Sequence, residues 1–149
     1  MRHPCAPQIL HPVAVVRGVA AISYSPLFRG LLFGTWKKDK TLPPDDARSM
    51  HTDYAGTRFQ RHLQAVEAIR EVASSGGLSV PQLAVGVLLQ TPGLTGVIVG
   101  ARKRRQGAVI SSLGVDVTAE QAATVWSIAE VMAKNLETMS PGRRRSSGG

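Results

Sequence analysis

The sequence has very little cysteine, few aromatic residues and no long apolar run. Cys5 is the only cysteine among 149 residues, so an internal disulfide is excluded. Because no other ligand lies at a metal-type spacing from it, Cys5 is interpreted as a free thiol without a structural role rather than as a metal ligand. No apolar run approaches the roughly 20 residues that cross a bilayer. These absences predict a cytoplasmic protein with no disulfide framework, no membrane segment and no metal site.

Acidic residues are also scarce. Ten aspartates and glutamates stand against 18 lysines and arginines, which gives a formal net charge of +8 and a pI near 10.6. Such a charge favours anionic partners such as phosphates, nucleic acid or an acidic membrane surface, and charge alone does not choose among them. The length suits one domain, and an apolar share of 43% allows a core.

Changes in composition divide the chain into three parts. Residues 1–18 are interpreted as a poorly ordered N-terminal segment, without a period over 1–12, and a helix remnant that ends at Gly18. Residues 19–138 are interpreted as the folded part. The ending at 139–149, with its "GRRRSSGG", is interpreted as a basic, flexible tail.

Two short apolar runs predict strands. Val19–Ser25 is apolar without alternation, which suits a parallel strand that is covered on both faces, and Pro26 ends it because proline has no N–H. Thr95–Gly100 is rich in β-branched residues and predicts a second strand. The polar stretch 36–57 contains paired prolines, and we interpret it as a long loop without regular structure.

Apolar periodicity and capping signals predict helices around these strands. A helix is expected over 58–75, and its apolar stripe consists of Phe59, Leu63, Val66, Ile69 and Ala73. Capping boxes at Ser79 and Thr118 begin two more helices, and a short one follows "ARKRRQ" and ends near Leu113. The order of elements indicates an α/β fold of about two parallel strands with flanking helices.

Both predicted strands end in a loop that combines glycine with positive charge. The first loop contains Ser25, Arg29 and Gly30, and the second contains Gly100 and the basic residues 102–105, followed by the start of a helix. Ligands of α/β proteins bind beyond the carboxyl ends of the strands. Glycine, arginine and a helix N-terminus all suit a phosphate group. The two loops could therefore hold a phosphorylated cofactor, and the alternative for residues 102–105 is a solvated basic loop.

Three stretches, in order along the chain, resemble the aldo-keto reductase family. "ISYSPLFRGLLFG" is similar to the seventh-strand motif A-Y-S-P-L-G-R-G-L-L-T-G, and "TLPPDDARS" resembles the loop that follows it in one bacterial-type subgroup. "SVPQLAVGVLLQTPGLTGVIVGAR" resembles the next helix and the eighth strand. The resemblance extends over roughly Val19 to Leu136. It implies the C-terminal portion of a (β/α)8 TIM barrel, that is, a partial aldo-keto reductase barrel over 19–138.

The resemblance also implies NADPH as the cofactor and carbonyl reduction as the activity of the family. In TIM barrels, phosphate sites often lie in the loops after strands seven and eight. By position, Tyr24 would stack on the nicotinamide ring. The pyrophosphate would be lined by Ser25, Leu27, Arg29 and Gly30. The adenosine end would be held by Gly100, Ala101 and Arg102, with the last of these near the 2′-phosphate, and a further cofactor contact is implied for Gln106.

The sequence departs from the family pattern within both loops. Phe28 replaces a glycine and adds bulk beside the cofactor path. Val109 and Ile110 occupy positions where the family usually has an acidic residue and an asparagine that hold the adenine. Arg104 and Arg105 replace what is usually proline and an acidic or small residue. Each departure is expected to lower the affinity for the cofactor.

No catalytic residue is assigned in this sequence. The family reduces carbonyls with an aspartate, a tyrosine, a lysine and a histidine from the earlier half of the barrel. The chain's own histidines are interpreted as surface residues: His3, His11, His51 and His62, the last on the polar side of its helix. Asp45 and Asp46 are interpreted as a solvated turn. Because hydride transfer needs an acid for the carbonyl oxygen, we expect a cofactor-binding half that is not competent alone.

Partners and alternatives follow from this interpretation. A half barrel is expected to associate with itself or with a complementing N-terminal half, since its strand edges would be unpaired. One alternative is a basic interaction protein that contacts nucleic acid through "ARKRR" and "GRRRSS". No aromatic-interleaved groove supports it, so nucleic acid is the less favoured partner. The other alternative is a non-functional product of a truncated gene.

Overall fold

Residues 15–138 are described by the computed structural model. The predicted basic tail at 139–149 and most of the predicted N-terminal segment, with Cys5, His3 and His11, lie outside these residues. Residues 15–17 form one helical turn, and Gly18 follows it at a φ of +61°. The N–H of Gly18 donates to the carbonyl of Val15 at 3.3 Å.

The described residues contain one sheet of two parallel strands, β1 (Ile22–Tyr24) and β2 (Gly96–Ile98). Both lie inside the predicted runs and are shorter than predicted. Pairing stops after Tyr24 because Ser25 adopts a φ of +57°, which is outside the β region. Before β1, the N–H of Thr95 donates to the carbonyl of Ala21 at 2.7 Å.

After the helical residues 15–17, the described part of the chain contains four α-helices, and their order agrees with the sequence prediction. Their bounds are α1 Gly56–Ser75, α2 Val80–Leu89, α3 Arg104–Ile110 and α4 Ala119–Thr138. The predicted capping box at Thr118 is confirmed, because its N–H donates to Gln121 Oε1 at 2.9 Å and its hydroxyl accepts from the Gln121 N–H at 3.1 Å. The predicted box at Ser79 is confirmed as well. Pro141, expected to end the last helix, lies outside the described residues.

The stretch 36–57 is more regular than predicted. Two short 3-10 helices, Ala47–Met50 and Thr52–Tyr54, lie within it, so the prediction of a loop without regular structure is wrong there. The first begins because the Asp46 carboxylate accepts the N–H of Arg48 at 3.0 Å, which closes a turn soon after the prolines. A further turn segment, Phe28–Phe33, follows β1 and is kinked, because Arg29 and Gly30 have non-helical φ values of 50° and 95°.

The core lies between α2 and the two long helices, α1 and α4. The main buried cluster contains Leu31, Tyr54, Phe59, Val66, Ile69, Ala73, Val80, Leu83, Val87, Val117 and Val125. A smaller cluster of Leu27, Ala84 and Val85 lies under the end of β1. Helix α2 is buried almost all round, as predicted. At Gly86 a Cβ would lie 2.6 Å from Val117 Cγ1 and 2.9 Å from the Val115 carbonyl, so this close packing requires glycine.

One face of the sheet is exposed. Ile22, Tyr24 and Ile98 share that face and are 59%, 63% and 61% exposed. The prediction that the first strand is covered on both faces is therefore wrong for the described chain. Alternation along a strand places Ile22 and Tyr24 on the side away from α2, and only the opposite side, with Val97, packs on the smaller buried cluster.

Within residues 15–138, no single helix is both long and apolar enough to cross a membrane. Helices α1 and α2 reach that length and composition only as a pair that is bent by 87°.

Candidate functional site

The two loops that were predicted to cooperate leave the sheet side by side. In the parallel register, Tyr24 lies opposite Ile98, so both strands end at the same edge. The chain that follows β1 begins at Ser25, and the chain that follows β2 leads to Arg102. The pKa of Asp46, which belongs to the 36–54 segment, is lowered mainly by hydrogen bonds from Arg48 and to the smallest extent by the charge of Arg102. The two predicted loops therefore begin at the same edge of the sheet.

The loop after β1 has an unusual backbone. Phe28 and Arg29 have φ values of 45° and 50°, and Gly30 follows at 95°. For a residue with a Cβ, this left-handed conformation costs about 1–2 kcal/mol. Two such residues in succession persist only where the surroundings hold them. We call residues 28–30 the left-handed turn.

Side chains of the 36–54 segment hold the left-handed turn. Its three carbonyl groups accept hydrogen bonds, in chain order, from the hydroxyl of Tyr54 at 2.9 Å, the Nη1 of Arg48 at 3.2 Å and the indole N–H of Trp36 at 2.8 Å. Sequence reasoning did not identify these three residues. The available signal was the presence of a tryptophan and a tyrosine in a stretch that is otherwise polar.

Arg48 is itself fixed by a two-point pair with Asp46. Its Nε donates to Oδ1 at 2.9 Å and its Nη2 donates to Oδ2 at 2.5 Å. These hydrogen bonds hold the pKa of the Asp46 carboxyl well below its ordinary value and raise the pKa of Arg48. The guanidinium also lies 5.0 Å from the centre of the Trp36 ring. The interpretation of Asp46 as part of a solvated turn is therefore wrong, whereas Asp45 is exposed.

Arg29 is exposed at the tip of the left-handed turn. Its Nη1 contacts the Nε2 of His51, a residue interpreted as a surface histidine and found half-buried. The guanidinium provides planar N–H donors and a permanent charge beside the ends of both strands. Such a group can bind a phosphate oxygen.

The ring of Phe28 packs on α1. Its centre lies 5.1 Å from that of His62 and 6.3 Å from that of Tyr54, and the ring is 37% exposed. Much of the Phe28 side chain, which was expected to add bulk beside the cofactor path, therefore packs against the buried His62 and Tyr54. This arrangement accommodates the family departure at position 28.

His62 is buried, with 3% of its surface exposed, and the prediction of a surface histidine is wrong. Position 62 lies between Phe59 and Val66 at steps of three and four, so it belongs to the buried stripe of α1. Burial lowers the pKa of His62, although its hydrogen bond to Asp53 at 3.2 Å acts in the opposite direction. The imidazole is therefore neutral at pH 7 and donates from Nε2 to Asp53.

Asp53 joins this histidine to the start of α1. Burial raises the pKa of the Asp53 carboxyl, but hydrogen bonds from Arg58 and His62 outweigh it, and the net shift is downward. Arg58 donates through Nη2 at 2.9 Å and Nε at 3.2 Å, and its Nη1 also reaches the carbonyl of Leu136 in α4 at 3.3 Å. The hydrogen bonds of Asp53, Arg58 and His62 therefore connect α1 to the segment before it and to α4.

The buried histidine makes folding depend on pH. Its pKa in the folded chain lies below the ordinary 6.5, so the unfolded chain binds more protons between these two values. The contribution of His62 to the free energy of unfolding is complete above pH 6.5. It decreases as the pH falls from 6.5 to the pKa of the folded chain, by at most about 1.4 kcal/mol per pH unit. Asp53 contributes only below its ordinary value of 3.8.

We expect the free energy of urea unfolding to decrease from pH 7.5 to pH 5 in the native chain. His62→Gln keeps a side-chain donor for Asp53 but does not titrate, so it should flatten this dependence. An equal slope in both proteins would contradict a buried, neutral His62.

The loop after β2 is shaped by Gln106. Its Oε1 accepts the N–H groups of Arg102 and Lys103 at 2.8 and 3.0 Å, which turns the chain into α3. Those two N–H groups are thus already bonded within the chain, and α3 has only seven residues. The side chain of Arg102 stays exposed, as do those of Lys103, Arg104 and Arg105.

The predicted site residues differ in exposure. The exposed ones are Tyr24, Ser25, Arg29, Gly100, Ala101 and Arg102. Gly30 and Gln106 are half-buried. Leu27 is 4% exposed and packs with Ala84 and Val85, so its side chain belongs to the core and only its backbone is left for a ligand.

The side chains at this edge suit a phosphorylated ligand. Ser25 offers a hydroxyl, and Arg29 and Arg102 offer guanidinium groups. The carboxylate of Asp46 is the nearby negative charge, and it is neutralised by Arg48. Among the described residues, no group of three or more histidine, cysteine, aspartate or glutamate side chains could hold a metal ion.

Comparisons with known proteins show the family of this chain. Residues 3–130 match the model of the aldo/keto reductase family. Aldo-keto reductase YhdN of Bacillus subtilis is 33% identical over 103 residues, which cover 68% of this chain and 31% of that protein. Aldo-keto reductase yakc [NADP(+)] of Schizosaccharomyces pombe is 30% identical over 71 residues, which cover 48% of this chain and 21% of that protein.

A solved structure supports the fold. The glycerol dehydrogenase of Gluconobacter oxydans superposes with a TM-score of 0.77 at 24% identity, over 98% of this chain and 43% of that chain. The predicted α/β fold, as part of a TIM barrel, is confirmed by this match. The chain spans about a third of the length of the curated relatives that it matches.

Proposed function

Because the chain belongs to the aldo/keto reductase family, we propose that it binds NADPH at the carboxyl ends of β1 and β2, as the cofactor-binding part of a carbonyl reductase. The observation that carries the proposal is the parallel pairing of Tyr24 with Ile98, which brings Arg29 and Arg102 to one edge of the sheet. The S. pombe relative, which carries NADP(+) in its name, supports the choice of cofactor.

Each exposed residue at this edge has a role in the proposal. The ring of Tyr24, 63% exposed, stacks on the nicotinamide. Ser25 and Arg29 bind the pyrophosphate. Leu27 and Gly30 line it without a backbone bond from Gly30, whose N–H and carbonyl are already bonded to Leu27 and Trp36. The cofactor supplies the hydride, and the chain binds and orients the cofactor.

The second loop receives the adenosine end of the cofactor. Gly100 and Ala101 leave room for the ribose, since a Cβ at Gly100 would meet no atom within 4 Å. Arg102 pairs with the 2′-phosphate, and this contact gives the preference for NADPH over NADH. Gln106 acts on the loop by binding its N–H groups rather than by a contact through Oε1 to the cofactor.

We further propose that the chain does not reduce carbonyls by itself. Reduction needs an acid that protonates the carbonyl oxygen. The titratable side chains around the left-handed turn are engaged: Asp46 with Arg48, His51 with Arg29, and Tyr54 with a backbone carbonyl. A complementing N-terminal half would supply the acid. Such a half, or a second copy of the chain, would also cover the exposed Ile22 and Ile98. A cytoplasmic location accompanies this proposal.

Titration of the full 149-residue chain with NADPH by calorimetry tests the proposal. We expect saturable binding with one NADPH per chain. A simple aldehyde added to the complex should cause no loss of NADPH absorbance. A chain that binds no NADPH would overturn the cofactor assignment. Aldehyde turnover that disappears in Tyr24→Ala would overturn the statement that the chain needs a partner.

A further inference from the structure

The backbone of the left-handed turn is bonded on both sides. Its carbonyl groups all accept from Tyr54, Arg48 and Trp36 of the 36–54 segment. Its N–H groups at positions 28 and 30 donate instead to the carbonyls of Ser25 and Leu27, both at 2.9 Å. Successive residues in one helical conformation direct their carbonyls to one end of the turn and their N–H groups to the other. What the turn presents to solvent is therefore chiefly the side chain of Arg29.

The three donors are anchored independently of any ligand. Tyr54 is 9% exposed and belongs to the main core cluster. Trp36 meets the ring of Phe59 edge-on at 5.7 Å and that of Tyr54 at 5.4 Å. Arg48 is fixed by its two bonds to Asp46. A rigid connection thus runs from the core of α1 to the backbone that carries Arg29.

From this geometry we propose that Trp36, Arg48 and Tyr54 are positioning residues for cofactor binding. They hold the left-handed turn in the conformation that directs the Arg29 guanidinium toward a cofactor phosphate. The proposal rests on the proposed function, because it takes NADPH as the ligand of Arg29. Without the three donors, residues 28 and 29 relax out of the strained conformation and Arg29 loses its fixed position.

Single variants that remove one donor each can test this role. Tyr54→Phe deletes the hydroxyl but keeps a ring for its contacts with Trp36 and Phe59. Trp36→Phe deletes the indole N–H. Ser49→Ala is the matched control, since it deletes a hydrogen bond of the same segment, to the Pro44 carbonyl at 3.3 Å, that does not reach the turn.

Two measurements on the full chain distinguish positioning from general stability. The NADPH dissociation constant by calorimetry should rise about three- to tenfold in Tyr54→Phe and in Trp36→Phe, and stay unchanged in Ser49→Ala. In the cofactor-free chain, hydrogen exchange of the amides of residues 28–34 should become faster in the first two variants. Exchange in α2 (Val80–Leu89) should not change in any of the three.

The outcomes separate the two proposals. If the native chain binds NADPH and both donor variants bind it equally well, the positioning role is overturned. Unchanged amide exchange at 28–34 in the donor variants overturns it too. A native chain that binds no NADPH overturns the proposed function, and the exchange rates alone then decide whether the three donors hold the turn.

Discussion

Replacing Leu83 with alanine is expected to lower the free energy of unfolding by about 3 kcal/mol. Leu83 is fully buried at the centre of α2, in the main core cluster. The loss combines the transfer energy of the missing atoms with a cavity that neighbouring helices cannot fill. Because folded domains are stable by only about 5–15 kcal/mol, this loss is a large share of the total.

Leu89→Ala is the matched control for this prediction. Leu89 lies at the end of the same helix and is 37% exposed, so the same substitution there should cost less than about 1 kcal/mol. Urea unfolding followed by far-UV circular dichroism measures both. Equal losses in the two variants would contradict a core centred on α2. Because α2 also carries Ala84 and Val85 beneath Leu27, Leu83→Ala should loosen the loop after β1 as well.

The long helices could be predicted from sequence because their signals are local and repeated. The stripe that includes Phe59, Val66 and Ala73 and the capping box at Thr118 both appear in the structure where the pattern indicated. The lengths of the strands could not be predicted. They depend on where two distant segments stop pairing, and that is decided by the left-handed conformation of Ser25.

Two polar residues have surroundings that differ from the prediction. His62 is polar, but its place in the helical repeat buries it, and Asp53 supplies the hydrogen bond that makes burial tolerable. Asp46 follows two prolines and was interpreted as solvated, but Arg48 lies two residues away and pairs with it. In both cases the hydrogen-bonding partner lies fewer than ten residues away in the sequence.

The shared edge at which the two strands end could be predicted, because parallel strands present their carboxyl ends together. The left-handed turn and its three donors were not identifiable, because Trp36, Arg48 and Tyr54 lie in a stretch without period. All three side chains donate to backbone carbonyl groups, and a sequence does not show where a carbonyl group points. The individual cofactor contacts, including those of Tyr24 and Gly100, stay predictions.

The second large effect is expected at Arg102, whose guanidinium is proposed to bind the 2′-phosphate of NADPH. Arg102→Gln removes a charge-assisted pair, which is worth about 1.5–3 kcal/mol, so the NADPH dissociation constant should rise about tenfold or more. The NADH dissociation constant should not change, because NADH has no 2′-phosphate. Arg61→Gln is the control, since it removes the same charge from an exposed position on α1.

The ratio of the NADH and NADPH dissociation constants, measured by calorimetry in the native chain, Arg102→Gln and Arg61→Gln, is therefore the most direct test of cofactor binding between the two loops. We expect the native chain and Arg61→Gln to favour NADPH to the same extent, and Arg102→Gln to lose that preference. A preference that survives in Arg102→Gln, or that falls equally in Arg61→Gln, would contradict a 2′-phosphate site in the loop after β2.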